Sequence, residues 1–476
     1  MQQENTYELI SALFVKLLAV VYFIAFASLS SQIVALAGQD GILPVTEMLE
    51  QATDRLGWMR FLAYPTVFWV NAGDTALTAA TWLGCAFSVL LFLNYRVRLS
   101  LLILYLLYLS LFYAGQIFMS FQWDLLLLEA GFLAIFLTPN SRLVILLYRW
   151  LLFRLRFMSG LSKIVSQDPS WAGLSALVYY FETQPLPHIG GWYAHQLPEW
   201  LLVVATAATL LIELVVPFMM FMSRKYRFIA AWLTLGLQLL IIMTSNHNWF
   251  NILTIILCLF LFDDKAVRKV LPNSLGNWLV QQNPLTSSSL VVSTASYVFA
   301  TLILIASTIH LWEMATARPV TGKVDKVLAY VQRWSIANKY HVFPTINQQR
   351  IELIIEGSVD GKNWIPYDFK YKPGALNKPL HVVIPHHPRL DWMAWFVPLH
   401  PDFLVWFENF LIRLLENSPS VSAMLEHNPF AQTPPIAIRV QAFEYTFTTI
   451  DEHRMTGNWW NRSYLGPFTP LPGIYR

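Results

Sequence analysis

The sequence has little cysteine and little charge for its length. Only two cysteines, Cys85 and Cys258, occur in 476 residues, and both lie inside apolar runs. They exclude a disulfide framework, a cysteine zinc site and a thiol redox motif in any extramembrane part. Charged residues make up 13% of the chain, compared with about 25% in soluble domains. This shortage of charge indicates that much of the chain lies in lipid.

Signatures of nucleic-acid binding and of common catalysis are also missing. The net charge is +3 and no long block of Lys or Arg occurs, which argues against a nucleic-acid partner. The sequence contains no GxSxG, no HExxH and no phosphate-binding glycine loop, so its spacing indicates neither a hydrolase nor an ATPase. We expect no cofactor and no metal. The irregularly spaced Glu182, His188 and His195 are a weak alternative for metal binding.

Long apolar runs dominate the first two thirds of the chain. The hydrophobic fraction is 56%, and a membrane-spanning helix needs about 20 apolar residues. The sequence therefore predicts a multipass α-helical membrane bundle of about nine helices within residues 1–312. The nine candidate spans are Ile10–Leu36, Ala76–Leu93, Leu99–Met119, Trp123–Leu137, Leu143–Val165, Trp200–Met222, Phe228–Thr244, Trp249–Phe262 and Leu290–Trp312.

The distribution of cations between these spans predicts their orientation. Lys and Arg follow the second, fourth, sixth and eighth spans, whereas the connections after the third and seventh carry none. Because cytoplasmic loops are enriched in Lys and Arg, the N-terminus is predicted to be cytoplasmic. The segment 166–199 and everything after the ninth span then lie on the other side. This alternation requires 143–165 to cross the bilayer, and a helix lying in the membrane interface is the alternative.

After Trp312 the composition becomes polar and rich in proline. The segment 350–364, RIELIIEGSVDGKNW, alternates apolar and polar residues and then turns at DGKN, which predicts a strand and a hairpin. We predict a mixed α/β, strand-containing extramembrane domain at 313–476, joined to the bundle through a linker at 272–289. Its further strands are expected at Tyr367–Tyr371, His381–Ile384 and Ile436–Thr448, and its helices at Leu390–Phe396, Pro401–Leu415 and Val421–His427.

The fifth span carries four cations at seven-residue spacing: Arg142, Arg149, Arg156 and Lys163. A helix drifts by only about 20° per heptad, so these cations share one face. They are predicted either to pair with the intramembrane acids Asp124, Glu129 and Glu213 or to hold an anionic head group or carboxylate. Lys163 also lies beside a polar loop, where a desolvated amine could act as a base.

Two aromatic segments are candidate surfaces for binding another protein, which is called the client below. The segment 179–195 contains Glu182, Gln184, Trp192 and His195, and the segment 387–396 contains Arg389, Asp391 and Trp392. Exposed aromatics there would cover apolar surface of a client protein, which is favourable by about 25 cal/mol per Å² removed from water. For 387–396, packing anchors of a small domain are the preferred explanation, and 179–195 could instead dock onto the membrane surface.

The chain resembles the lipase maturation factor family in motifs that occur in order along nearly its whole length. The motifs are DGILP (40–44), FQWDLLLLEAG (121–131), RFMSGLSKI (156–164), DPSW (168–171), YYFETQPLPHIGGWYAHQLP (179–198), IELVVPF (212–218), LFDD (261–264), YKPG (371–374), HPRLDWMAWF (387–396), HNPF (427–430) and GNWW (457–460). The resemblance implies a multipass membrane protein that assists folding or assembly of secreted lipases, with client proteins and membrane lipids as partners.

The resemblance leaves location and chemistry open. Members from eukaryotes lie in the endoplasmic reticulum, with the C-terminal domain lumenal. Scarce cysteine and short loops favour a bacterial-type member in the inner membrane, with that domain periplasmic. A weaker likeness of 154–171 to vitamin K-dependent gamma-carboxylase implies the alternative function: a membrane enzyme acting on a lipid or quinone, with Lys163 as base. A non-enzymatic maturation factor is the preferred hypothesis.

Overall fold

The computed structural model describes residues 6–138, 141–282, 290–471 and 473–475. Within them the chain forms a helical bundle (residues 6–316) followed by a C-terminal lobe (residues 317–475). The predicted linker at 272–289 lies partly outside the described residues. Within its described part, Asn273–Gln281 forms a helix. The boundary expected after Trp312 falls inside the last turn of the preceding helix, which ends at Thr316.

Helices account for nearly all regular structure of the bundle. They are α1 (Glu8–Ser30), α2 (Ile33–Ala37), α3 (Val45–Leu56), α4 (Arg60–Ala63), α5 (Asp74–Phe92), α6 (Val97–Ala114), α7 (Gln122–Ile135), α8 (Arg142–Val165), α9 (Pro169–Ala172), α10 (Ala176–Thr183), α11 (Ile189–His195), α12 (Glu199–Leu214), α13 (Arg224–Thr244), α14 (Phe250–Leu257), α15 (Asp264–Val267), α16 (Asn273–Gln281) and α17 (Leu290–Thr316). Short 3-10 turns at Gln116–Met119, Val216–Phe221 and Cys258–Leu261 extend α6, α12 and α14.

Five of these helices are long and apolar enough to cross a membrane: α1, α5, α6, α13 and α17. Helices α11 and α12 would form a sixth if they were one span bent by 117°. Each of the nine predicted spans contains a helix, but the predicted number of nine membrane helices is not confirmed among the described residues. Helix α7 has 14 residues and α14 has 8, which is shorter than the hydrocarbon core requires.

Helix α8 lies in the middle of the bundle. It packs against α7, α12, α14 and α17, and its buried residues are distributed around its whole circumference. A helix lying on the membrane surface would bury one face only. The burial of α8 therefore favours a crossing over the interfacial alternative.

The C-terminal lobe combines short helices with one antiparallel sheet. Its helices are α18 (Lys323–Arg333), α19 (Arg389–Ala394), α20 (Leu404–Leu415), α21 (Pro419–Ser422) and α22 (Ile450–Thr456). Its strands are β1 (Arg350–Ser358), β2 (Ile365–Pro366), β3 (Ala437–Phe447), β4 (Trp460–Pro467) and β5 (Gly473–Tyr475), in the order β2-β1-β3-β4 with β5 also pairing to β3. In the β1–β3 pair Leu353 lies opposite Ala442.

The structure corrects three predictions of local structure in the lobe. The predicted strand at Tyr367–Tyr371 forms only an isolated bridge, between Phe369 and Leu425. The helix predicted at Val421–His427 begins and ends earlier, as the single turn α21. His381–Ile384 is not a strand, because it bonds to a side chain instead of a neighbouring strand. Asn246 donates to the carbonyl of His381 at 2.9 Å and accepts from the amide of Val383 at 2.8 Å. Strand β4 was not predicted, since its alternation is weak.

The bundle and the lobe share their apolar cores. Ile336, Ala337, Tyr340 and Trp392 of the lobe belong to the main core of the bundle. In return Ala35, Leu36, Ile42 and Phe118 of the bundle belong to the core under the sheet. The lobe is therefore packed into one end of the bundle and is not connected only by a tether.

The two ends of the bundle have different partners. At one end the carboxylate of Asp264 accepts from the amides of Leu9 and Ile10, at 3.1 and 3.0 Å, and Asp263 pairs with Arg224 at 2.6 Å. These contacts join the N-terminus to two of the connections predicted to be cytoplasmic. The lobe instead contacts connections predicted to lie on the other side, through Arg413 to Gly41 and through Asn246. The contacts agree with the predicted assignment of alternate connections to opposite sides of the membrane.

Close packing of α1 against α5 depends on Gly84. A Cβ atom at this position would lie 2.2 Å from the ring of Phe26. We expect Gly84→Ala to lower the thermal unfolding midpoint in detergent, because overpacking a dense core costs about 1–3 kcal/mol. Gly236 of α13 is the matched control, since no atom lies within 4 Å of its added Cβ. There Ala should be neutral or stabilising by about 0.5–1 kcal/mol. Equal effects at the two positions would contradict this assignment.

Candidate functional site

The cations of α8 do not form one site. Arg149 donates to the carbonyl of Phe260 at 2.9 Å and to the hydroxyl of Tyr7. Arg156 and Lys163 lie further along the helix, and both pair with Glu213 of α12. The seven-residue spacing places Arg156 and Lys163 on one face, where they share Glu213, whereas Arg149 has other partners.

Glu213 is held between two cations. Its Oε1 lies 2.8 Å from Arg156 and its Oε2 lies 2.8 Å from Lys163. All three side chains are buried, so each charge needs its partner in this apolar surrounding. Gly160 allows α8 and α12 to approach, since a Cβ there would lie 2.9 Å from Cβ of Glu213. The prediction that the cations pair with intramembrane acids is confirmed for this cluster.

Lys163 is fully engaged in hydrogen bonds. Besides Glu213, its Nζ donates to the Ser159 carbonyl at 3.2 Å, to the Ser159 hydroxyl at 3.0 Å and to the Val342 carbonyl at 2.9 Å. A general base needs a free lone pair within reach of the proton that it removes. All four contacts of Nζ are with acceptor atoms, which bind the protonated ammonium form. The geometry therefore does not support the role of Lys163 as a base. A cavity of about 80 Å³ does lie beside it.

Glu129 of α7 binds the strap, defined here as residues 334–346, to the bundle. The carboxylate pairs with Arg154 of α8, and both side chains are fully buried. It also accepts from the backbone and side-chain amides of Asn338, at 3.2 and 3.1 Å, and from Tyr340 at 2.8 Å. Arg154 lies on another face of α8 than Arg156 and Lys163, and this carboxylate explains its position.

Asp124 of α7 pairs with Arg389 of the lobe. The guanidinium donates to both carboxylate oxygens, at 3.0 and 2.8 Å, and to the carbonyl of Phe118 at 2.6 Å. Tyr108 donates to the same carboxylate at 2.6 Å. Asp124 and Glu129 therefore have separate partners. The sequence predicted Asp124 to lie in the membrane and Arg389 on a client surface, and only the fold brings them together.

The residues predicted as an exposed client surface are largely buried. Trp192 is 1% exposed and Trp392 is 2% exposed, so the expected exposure of these aromatics is wrong. Trp192 packs with Phe181 and Trp460 under the sheet. Trp392 lies against Trp123 with ring centroids 5.0 Å apart. A small lobe needs large aromatic side chains to build its apolar core, so these side chains are buried and not exposed.

The polar residues of the same two segments make internal contacts. The carboxylate of Glu182 accepts from the amide of Phe447 at 2.6 Å and lies 3.9 Å from Nε2 of His195. Burial raises the pKa of Asp391, whose carboxylate accepts from the amides of Tyr371 and Lys372 at 2.7 and 3.1 Å. These side chains fix loops of the lobe, and a role in client binding stays a prediction.

Arg350 was not among the predicted site residues. It is fully buried, donates to Glu352 at 2.8 Å, and also donates to the carbonyls of Gln184 and Pro185. Lys372 completes the cluster at 2.7 Å from Glu352. The alternation of β1 placed Arg350 and Glu352 on one face, which was the available signal. The cluster attaches the sheet to the 179–195 segment.

Comparison with known proteins covers both parts of the chain. The sequence model described as the lipase maturation factor transmembrane domain matches residues 9–269. The model described as the lipase maturation factor C-terminal domain matches residues 336–470. No solved structure matches the chain.

Several named relatives are similar over almost the full length. Lipase maturation factor 2 of Xenopus tropicalis is 32% identical over 94% of this chain and 80% of its own length. Lipase maturation factor 2 of Homo sapiens is 32% identical over 96% of this chain and 82% of its own. Lipase maturation factor 1 of Bos taurus is 30% identical over 98% of this chain and 89% of its own. This chain, with its apolar helices and packed C-terminal lobe, belongs to the lipase maturation factor family.

Proposed function

We propose that this protein is a membrane-embedded maturation factor that assists the folding of lipases. The observation that carries the proposal is the match of both family domains in order along one chain. The buried ion pairs described above account for Asp124 and Glu129 of α7 and for Arg154, Arg156 and Lys163 of α8 as structural contacts. They give no separate reason to assign an enzymatic reaction.

The lobe is proposed to lie on the non-cytoplasmic side of the membrane. Two arguments support this orientation: the distribution of Lys and Arg between the spans, and the contacts of the lobe with the cation-poor connections. A secreted client would then meet the lobe after translocation. The bacterial periplasm and the lumen of the endoplasmic reticulum are both compatible with this geometry, and the relatives named above are vertebrate proteins.

The client is proposed to bind at the free edge of the sheet, strand β4. Strand β3 pairs with one side of β4, and no described strand pairs with its other side. Tyr464 and Leu465 are more than half exposed on this strand. An unpaired edge offers backbone donors and acceptors to an extended chain. An incompletely folded lipase presents such extended apolar segments.

Site-specific photocrosslinking tests this function. A photoreactive amino acid at Leu465, which is 53% exposed, should form an adduct with a newly translocated lipase. Val405 of α20 is the control position, because it is 68% exposed and lies on a helix, not on the edge strand β4. Equal labelling at both positions would exclude β4 as the specific client site. Absence of any lipase adduct, with normal lipase activity in cells lacking the protein, would contradict the maturation function.

A further inference from the structure

A small cavity within the bundle contains buried polar atoms that have no protein partner. The cavity, of about 80 Å³, is bordered by α8, α12, α13 and the strap. Both the amide nitrogen and the amide oxygen of Gln238 are buried in its wall without a hydrogen bond, and so is Nδ2 of Asn251. Buried polar groups are nearly always hydrogen-bonded. Unsatisfied atoms around a cavity therefore indicate a group that the chain does not itself supply.

The same cavity has more positive than negative charge. Arg156 and Lys163 line it, and Glu213 is the acid that they share. Nε of Arg156 has no hydrogen-bond partner. His247 also lines the cavity; it contacts the hydroxyl of Tyr180 at 2.8 Å, and burial lowers its pKa to about 4, which keeps it neutral. One positive charge is thus uncompensated, which is costly in a membrane interior.

Most of the remaining wall is apolar. Leu237 and Phe250 are buried in it, and the strap contributes Phe343. Thr209 of α12 and Ile241 of α13 are partly exposed at the cavity. Exposed apolar neighbours such as Leu240 mark this side of α13 as lipid-facing. The cavity therefore has a cationic end inside the bundle and an apolar path towards the lipid.

We propose that this cavity binds the carboxylate of a long-chain fatty acid, with the alkyl chain extending between α12 and α13. The carboxylate balances the surplus charge and accepts from Nε of Arg156 and from the amide nitrogens of Gln238 and Asn251. One water that donates to both the carboxylate and Oε1 of Gln238 satisfies the last buried atom. A cavity of about 150 Å³ holds one benzene molecule, so this smaller space suits a carboxylate and adjacent carbons better than a phosphate ester.

The binding test uses the full-length protein in nanodiscs of phosphatidylcholine. A palmitic acid analogue with a diazirine on its chain should label peptides of α12 and α13. Oleate should compete with this labelling, whereas oleyl alcohol should compete about tenfold less or worse, because it lacks the charge that Arg156 recognises. Phosphatidic acid should not compete. Equal competition by the alcohol, or competition by phosphatidic acid alone, would overturn the proposal.

Variants at Gln238 separate binding from folding. Gln238→Glu places a carboxylate in the cavity, so it should abolish labelling while raising the thermal unfolding midpoint of the fatty acid-free protein. Gln238→Leu should also weaken labelling, by about tenfold, and should not destabilise the fatty acid-free protein, because it removes two unsatisfied atoms. Thr234→Val is the matched control: Thr234 has a buried, unpaired hydroxyl on the same helix but does not line the cavity. Its labelling should be unchanged. Normal labelling of Gln238→Glu would refute the proposal.

Discussion

Replacement of Glu129 by glutamine is expected to destabilise the attachment of the strap by about 3–5 kcal/mol. The substitution leaves the guanidinium of Arg154 fully buried without its counter-charge. It also weakens the hydrogen bonds from Asn338 and Tyr340. In the wild-type protein both of these bonds end on the charged carboxylate of Glu129. Hydrogen exchange of residues 334–346 should accelerate about 100-fold or more, since about 1.4 kcal/mol corresponds to a factor of ten.

A second substitution tests the cause of this effect. Arg154→Met combined with Glu129→Gln should recover at least half of the lost stability, because it removes the unpaired charge while glutamine still offers an acceptor to Tyr340. Glu416→Gln is the control, since this carboxylate pairs with Arg413 on the surface and is 51% exposed. Its effect should remain within about 1 kcal/mol. A double variant that is as unstable as Glu129→Gln alone would show that unpaired charge is not the cause.

The Asp124–Arg389 pair is expected to hold the lobe on the bundle after the chain is cut. A protease site inserted at the exposed turn formed by Thr321 and Gly322 would separate the two parts covalently. The cleaved wild-type protein should elute as one species, because buried pairs and shared core residues still join its parts. Asp124→Asn leaves Arg389 buried and uncompensated, at a cost of about 3–5 kcal/mol, and should make the cleaved parts dissociate.

A double-mutant cycle tests whether the loss of stability comes from the contact between Asp124 and Arg389. Asp124→Asn and Arg389→Met should each lower stability, and their combination should cost less than the sum of the two by about 2–3 kcal/mol. Arg439→Met is a useful control, because Arg439 pairs with Glu356 within the sheet, away from the bundle. It should leave the cleaved protein intact. Strictly additive effects of Asp124 and Arg389 would show that they do not act through their contact.

The sequence predicted the charge pairs of the bundle only in part. The acids Asp124, Glu129 and Glu213 were identified as partners for buried cations, because unpaired charge is unfavourable in an apolar surrounding. Which cation each would meet was not predictable. Glu129 pairs with Arg154, and Asp124 pairs with Arg389, which is 265 residues away in sequence.

The predicted client surface failed for a different reason. Trp192 and Trp392 stand in polar, proline-rich segments, which usually lie at the surface. The structure places them in shared cores, because the lobe packs into the end of the bundle. A local pattern does not contain this information, since the covering residues come from other parts of the chain.

The family was predictable from motifs along the chain. The apolar helices and strands β1 and β3 were predictable because hydropathy and alternation depend on neighbours a few residues away, but the pairing of these strands was not. Three features depend on the tertiary fold: the strap enters the bundle, Glu213 pairs with two cations, and Gln238 faces a cavity. Each of these features requires groups from distant segments to come within a few ångströms of one another. Once these groups are buried, each charge and each polar atom needs a partner, and this requirement arises only in the folded chain.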